Sequence, residues 1–131
     1  MEEKIHVKVI IDEREIDGVF YLKTNPLCTL SLFIDGEQRA EVSGDDFFSC
    51  FCELRNRLKN IVFLCKGSKV NVYPSRMSRQ MASGIKAYEV TLGQPALREN
   101  LVNIFDYDNE GFISSPQEQH DFHLKWISSL G

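Results

Sequence analysis

Apolar and polar residues alternate through much of the first 42 residues. Residues 5–11, 30–34 and 40–42 each place isoleucine, leucine, valine or alanine at every second position. Alternation with a period of two predicts strands that bury one face and expose the other. Asp35-Gly36 lies between the second and third of these segments, and both residue types tolerate a positive φ angle. The pattern therefore predicts half-buried strands, two of which form a hairpin.

The period of the apolar residues changes after this hairpin. Phe47, Phe51, Leu54 and Leu58 recur at the spacing of a helix. Arg55 is grouped with the charged residues of this segment and is predicted to lie on the polar face. The pattern indicates an amphipathic helix of about four turns.

Short apolar segments follow the helix. Residues 61–65 and 70–73 flank a polar turn, and this arrangement predicts a second hairpin. A short helix is predicted over residues 76–84, where Met77 and Met81 lie one turn apart. Methionines at this spacing are most often part of a core, so both are predicted to pack inside.

The end of the chain carries a specific signal for the start of a helix. Ser115 can cap the helix, Pro116 suits the first helical position, and Glu118 completes a capping box. The apolar stripe of this helix is predicted to be buried and consists of Phe122, Trp126, Ile127 and Leu130.

The order of these segments predicts the fold class. Long crossovers between parallel strands are missing from the pattern, which favours α+β over a doubly wound α/β fold. We expect a single domain over residues 1–131, with a mostly antiparallel sheet of six or more strands packed against two main helices and one short helix.

Charge and cysteine content restrict the function classes. A net charge of −4 argues against sequence-independent binding to nucleic acid, which requires a clustered basic surface. The acidic start of the chain is unlike a secretory signal, and no apolar run is long enough to span a membrane. We therefore expect a cytoplasmic protein with reduced thiols and with neither nucleic acid nor membrane as a partner.

The segment 106–117 resembles the calcium-binding loop of an EF-hand. It supplies Asp106, Asp108 and Glu110 at alternate positions, but the twelfth position holds Gln117 instead of a bidentate glutamate. An acidic surface turn is the favoured interpretation. A calcium-binding module, or an enzyme that uses a divalent metal at the same carboxylates, remains as an alternative.

Other patterns carry no chemistry of their own. His120 and His123 lie one turn apart, but two imidazoles need further ligands to form a metal site. Cys50 and Cys52 point away from each other on a helix and are predicted to be small buried side chains. Phosphate-binding and dinucleotide-binding motifs are absent. The sequence therefore predicts no catalytic residue, no cofactor and no metal site.

The C-terminal half carries a set of turn, glycine and aromatic positions at residues 73–77, Met81, Gly84, 86–88, 92–93, 101–105, Glu118, Gln119, Phe122, Trp126, Ser129 and Leu130. In these positions it resembles a family of small bacterial proteins associated with polymorphic toxin and contact-dependent inhibition loci, whose members look like immunity proteins. The resemblance implies binding of a cognate protein toxin in the cytosol, and the acidity of the chain would suit a basic nuclease. An adaptor protein of a secretion assembly is a further alternative.

Partner binding is assigned to the densest cluster of acidic and aromatic side chains. Carboxylates steer a basic partner, and exposed aromatic side chains anchor it. A second choice is the acidic pair at the start of the first helix, although the helix dipole explains that pair without a partner. The predicted binding residues are Asp106, Tyr107, Asp108, Glu110 and Phe112, followed by Asp45 and Asp46.

Overall fold

A computed structural model describes residues 2–110 and 114–131 and confirms the α+β fold. Within these residues the paired strands are all antiparallel, in a five-stranded sheet of order β4-β3-β2-β1-β5 and a three-stranded sheet of order β6-β7-β8. The strands are β1 (Glu2–Ile11), β2 (Arg14–Thr24), β3 (Cys28–Ile34), β4 (Glu37–Gly44), β5 (Val62–Phe63), β6 (Val72–Tyr73), β7 (Lys86–Glu89) and β8 (Leu101–Asn103), and the helices are α1 (Phe47–Arg57), α2 (Arg76–Met81) and α3 (Pro116–Ser129).

The large sheet follows the alternation of the sequence. Val7 and Val9 are buried, and Lys8 between them is exposed. The predicted hairpin is confirmed: Asp35 and Gly36 join β3 to β4 with φ angles of 54° and 76°. Period-two patterning and local turn chemistry therefore account for the strands that precede α1.

Helix α1 covers the inner face of this sheet. Its apolar residues pack against β3 and β4, as the helical spacing predicts. Four phenylalanine rings meet at the centre of the core, with Phe51 of α1 lying edge-on to Phe20, Phe63 and Phe105 at centroid distances of 5.8, 5.3 and 5.4 Å. The core therefore joins α1 to both halves of the chain.

The predicted second hairpin is wrong. Strand β5 pairs with β1, whereas β6 pairs with β7. Residues 66–68 form a single 3₁₀ turn that directs the chain from one sheet to the other. The Gly67 N–H donates to the Ile104 carbonyl at 2.7 Å, and a Cβ atom on Gly67 would lie 2.8 Å from that oxygen. The close approach of the Gly67 and Ile104 backbones therefore sets the path of the chain between the two sheets. The local sequence pattern does not encode this contact.

The predicted burial of Met77 and Met81 is also wrong. Their exposed fractions are 71% and 81%. Helix α2 turns Ser78 inward instead, and its hydroxyl donates to the Lys86 carbonyl of β7. Because a hydrogen bond orients this short helix, its apolar side chains face away from the core.

Helix α3 begins as predicted but buries only part of its predicted stripe. Ser115 Oγ accepts from the Glu118 N–H at 3.2 Å, and the Glu118 carboxylate accepts from the Ser115 N–H at 2.8 Å, so the capping box is confirmed. The predicted stripe is wrong in part, because Ile127 and Leu130 are exposed while Phe122 and Trp126 are half-buried. The fully buried side chain of α3 is the polar Gln119.

Candidate functional site

The loop that begins at Asp106 contains the predicted acidic and aromatic residues. Backbone hydrogen bonds hold it beside the 3₁₀ turn of residues 66–68. The Lys66 N–H donates to the Asp106 carbonyl at 2.9 Å, and the Asp108 N–H donates to the Leu64 carbonyl at 3.2 Å. Tyr107 forms an isolated β-bridge with Cys65 between these contacts. The first three residues of the predicted binding cluster therefore have a fixed backbone.

Asp108 does not present a free charge, although its position in the sequence suggests one. Its largely buried carboxylate lies 3.0 Å from Lys66 Nζ and 2.9 Å from Lys69 Nζ. Lys69 Nζ also lies 2.5 Å from the Glu89 carboxylate. Burial alone would raise the pKa of Asp108, but hydrogen bonds from Lys69, the Glu110 N–H and Lys66 outweigh it and hold that pKa well below its ordinary range.

We expect Asp108→Asn to lower the free energy of unfolding by about 2 kcal/mol at neutral pH, because it removes charge-assisted hydrogen bonds. The folded pKa of Asp108 is depressed, so this stabilisation is present above about pH 4 and is lost as the pH falls towards the folded pKa. Urea denaturation at several pH values should show the difference between wild type and variant shrinking in acid.

Asp106→Asn is the matched control, because Asp106 is exposed and forms no ion pair within the described residues. It should change stability by less than about 0.5 kcal/mol. A stability difference for Asp108→Asn that stays constant into the acid range would contradict the assigned ion pairs.

Tyr107 is the exposed aromatic residue of the loop. Its exposed fraction is 52%, and it lines a cleft of about 380 Å³ together with Glu15 of β2. Asp106 and Glu110 lie on either side of Tyr107 along the loop and are both exposed. Within the described residues, Glu15, Asp106 and Glu110 form no ion pair. We call these four residues, Glu15, Asp106, Tyr107 and Glu110, the Tyr107 surface.

The remaining predicted binding residues divide into three cases. Phe112 lies outside the described residues. Asp46 is buried and caps α1, accepting from the Ser49 N–H at 2.8 Å and pairing with Arg79 at 3.0 Å. Asp45 is exposed. The structural role of Asp46 agrees with the expectation that the helix start explains it without a partner.

The geometry around the loop differs from that of an EF-hand. An EF-hand loop follows a helix, whereas the residues before this loop form strand β8. Asp108 is also occupied by two lysines. Within the part of the chain that the structure describes, no three histidine, cysteine, aspartate or glutamate side chains come together in an arrangement suited to a metal ion.

The two histidines of α3 pack against Tyr73 of β6. The His123 ring stacks on Tyr73 at a centroid distance of 4.1 Å, and His120 Nδ1 lies 3.2 Å from the Tyr73 hydroxyl. Burial, together with the nearby His120 and Arg79, lowers the pKa of His123. These contacts give both histidines a packing role.

The environment of the cysteines raises the pKa of their thiols. All four are free, and Cys28, Cys50 and Cys65 are buried, whereas Cys52 is partly exposed. Burial raises the pKa of Cys50 to about 12 and that of Cys65 to about 11. Thiols with such pKa values stay protonated at neutral pH and are weak nucleophiles.

Sequence analysis missed a buried polar cluster centred on Arg55 and Gln119. Arg55 was expected on the polar face of α1, but its exposed fraction is 7%. Its Nη2 donates to Gln119 Oε1, and its guanidinium lies 4.7 Å from the centroid of the Phe51 ring. The sequence did hold one signal: Arg55 follows Phe51 by four residues and therefore shares its face of the helix.

The fold and these contacts define an α+β domain with an exposed acidic and aromatic surface and a separate buried polar cluster. Comparisons of the chain with models of known protein families and with curated proteins find no match. Among the residues that the structure describes, no helix has the length and apolar character needed to cross a membrane.

Proposed function

We propose that this chain is a non-enzymatic binding protein that neutralises a cognate protein toxin by forming a tight complex with it in the cytosol. The observation that carries the proposal is the Tyr107 surface. Its aromatic ring is half-exposed, and none of its three carboxylates has an ion-pair partner within the described residues. The occupant that fits it is a basic protein.

The chemistry of this surface supports a protein partner. An aromatic side chain that is half-exposed in the free protein can insert into a pocket of the partner and supply much of the binding energy. The surrounding carboxylates attract a basic partner over a distance and raise its association rate. The backbone contacts of the loop keep Tyr107 in place before binding, which lowers the entropic cost of association.

Two sequence properties support a toxin as that partner. The C-terminal half resembles immunity proteins of polymorphic toxin loci, and the net charge of −4 suits a basic toxin such as a nuclease. The buried, protonated cysteines and the absence of a recognisable catalytic motif in the sequence are in keeping with a role in binding.

The test first expresses the proteins encoded beside this chain and selects any that proves toxic. Its association is then compared for the wild-type chain and for a double charge reversal, Asp106→Lys with Glu110→Lys. We expect association at low salt to slow at least about tenfold and its salt dependence to flatten, because steering by the loop is lost. Stopped-flow or surface-based kinetics at several salt concentrations measure both effects, and survival of cells expressing the toxin measures protection.

The matched control reverses two exposed carboxylates elsewhere, Glu3 and Glu99, and so changes the net charge equally. An equal loss of association rate in both double variants would remove the Tyr107 surface as the binding site. Failure of the wild-type chain to bind or neutralise any product of its own locus would remove the proposed function itself.

A further inference from the structure

A second cavity lies between the end of α1, strand β5 and the start of α3. Its volume is about 480 Å³, which falls within the range of small-molecule sites in proteins. Arg55 and Lys59 line it on the side of α1, and Phe63 lines it from β5. Ser114, which precedes α3, and Pro116, its first residue, complete this part of the lining. It combines two cationic side chains with apolar walls.

Arg55 is buried, and its guanidinium pairs with no carboxylate among the residues that the structure describes. Its Nη1 donates to the Ser114 carbonyl at 3.2 Å and its Nη2 to Cys52 Sγ at 3.5 Å as well as to Gln119. Within residues 2–110 and 114–131, its Nε has no hydrogen-bond partner and its guanidinium has no carboxylate partner. Residues 111–113 are Gly-Phe-Ile and contain no acidic side chain.

An uncompensated charge in this position is costly for the free protein. Removing a guanidinium from water carries a large desolvation penalty, which a nearby anion normally offsets. Arginine is also the side chain best suited to receive a carboxylate or a phosphate through two parallel hydrogen bonds. The Nε donor of Arg55, unpaired within the described residues, and the adjoining cavity therefore both suit a small anionic ligand.

We propose that this cavity binds a small organic anion, whose carboxylate or phosphate group pairs with Arg55 and whose apolar part occupies the space beside Phe63. Lys59 adds a second positive charge to the lining, and the N-terminus of α3 adds a favourable dipole. The acidic residue of the lining, Glu118, already accepts the Ser115 N–H within the capping box.

The probes are phenyl phosphate, benzoate and inorganic phosphate, titrated into the isolated protein at constant ionic strength. Calorimetry gives the affinities, and backbone NMR shifts locate the binding. We expect saturable binding of an aromatic anion, tighter than that of inorganic phosphate, with shifts at Ser114 to Glu118. Preference for phenyl phosphate or for benzoate assigns the phosphate or the carboxylate class.

Three variants test the roles of the lining residues. Arg55→Lys keeps the charge but loses the paired geometry and should weaken binding by about tenfold or more. Lys59→Ala should weaken it by roughly threefold, and Glu118→Gln should tighten it by roughly twofold, because a glutamine still completes the capping box but carries no repelling charge. Lys125→Ala, an exposed lysine of α3 outside the lining, is the control and should change nothing.

Lys59→Ala and Glu118→Gln decide the matter even if Arg55→Lys does not fold, because neither side chain is part of the core. Opposite changes of affinity in these two variants support the site. The proposal is overturned if no probe shows saturable binding up to tens of millimolar, if inorganic phosphate binds as tightly as the aromatic anions, or if both variants bind like the wild type.

Discussion

Gln119→Ala should lower the free energy of unfolding by roughly 3–5 kcal/mol, a large effect for a polar residue. Gln119 is fully buried, and its Nε2 lies 2.7 Å from the Gly67 carbonyl, 2.8 Å from the Lys69 carbonyl and 3.2 Å from the Val72 carbonyl. Its Oε1 accepts from Arg55. The alanine variant removes all of these hydrogen bonds, although the Lys69 carbonyl keeps the Val72 N–H at 3.2 Å and Arg55 Nη2 keeps Cys52 Sγ at 3.5 Å. Each buried polar group that is left without a partner costs about 1–3 kcal/mol.

Gln117→Ala is the matched control, since it removes the same residue type from the same helix. The Gln117 side chain is exposed and bonds to Asp121 of the same helix at 2.9 Å. It should change stability by less than about 0.5 kcal/mol. Urea denaturation followed by circular dichroism measures both variants. Equal and small effects would show that α3 is not docked through Gln119.

Elements fixed by local chemistry were predicted from the sequence. The hairpin at Asp35-Gly36 follows from two adjacent residues that tolerate a positive φ, and the start of α3 follows from the capping box of Ser115 and Glu118. The apolar stripe of α1 follows from helical spacing. Each signal spans only a few residues, so the rest of the fold does not alter it.

Elements fixed by distant contacts were not predicted. The segment after α1 looks like a hairpin because two apolar runs flank a polar turn. In the structure the first run forms β5 and pairs with β1, whereas the second forms β6 and pairs with β7. The apolar residues of α2 and α3 suggested a core, yet the buried side chains of these helices are the polar Ser78 and Gln119. In both helices, hydrogen bonds to other elements compete with the local apolar pattern.

The candidate site also combines features that the sequence predicts with features that distant contacts decide. Asp106 and Asp108 occupy equivalent places in the acidic motif, and the sequence offers no means of separating them. The structure places Asp108 between Lys66 and Lys69, whereas Asp106 is exposed without an ion pair in the described part of the chain. Lysines about forty residues away therefore decide which carboxylate is available to a partner.

Among the core side chains, Phe51 should contribute most to the stability of the fold. We expect Phe51→Ala to lower the free energy of unfolding by about 3–5 kcal/mol, because a fully buried ring is replaced by a cavity. The variant also loses edge-on contacts with three neighbouring rings and the stacking of Arg55 over its face. A loss of this size is a large share of the stability of an ordinary domain.

Phe33→Ala provides the matched comparison for Phe51→Ala. Phe33 is half-buried and makes an edge-on contact with Tyr21 at 5.2 Å, so the same truncation should cost only about 1 kcal/mol. Phe51→Leu refines the measurement, because it keeps an apolar side chain while removing the ring and should cost less than about 2 kcal/mol. Urea denaturation gives the three values. If Phe33→Ala proved as destabilising as Phe51→Ala, the main core would not lie between α1 and the inner face of the sheet. The assigned position of Arg55 above the Phe51 ring would then be contradicted as well.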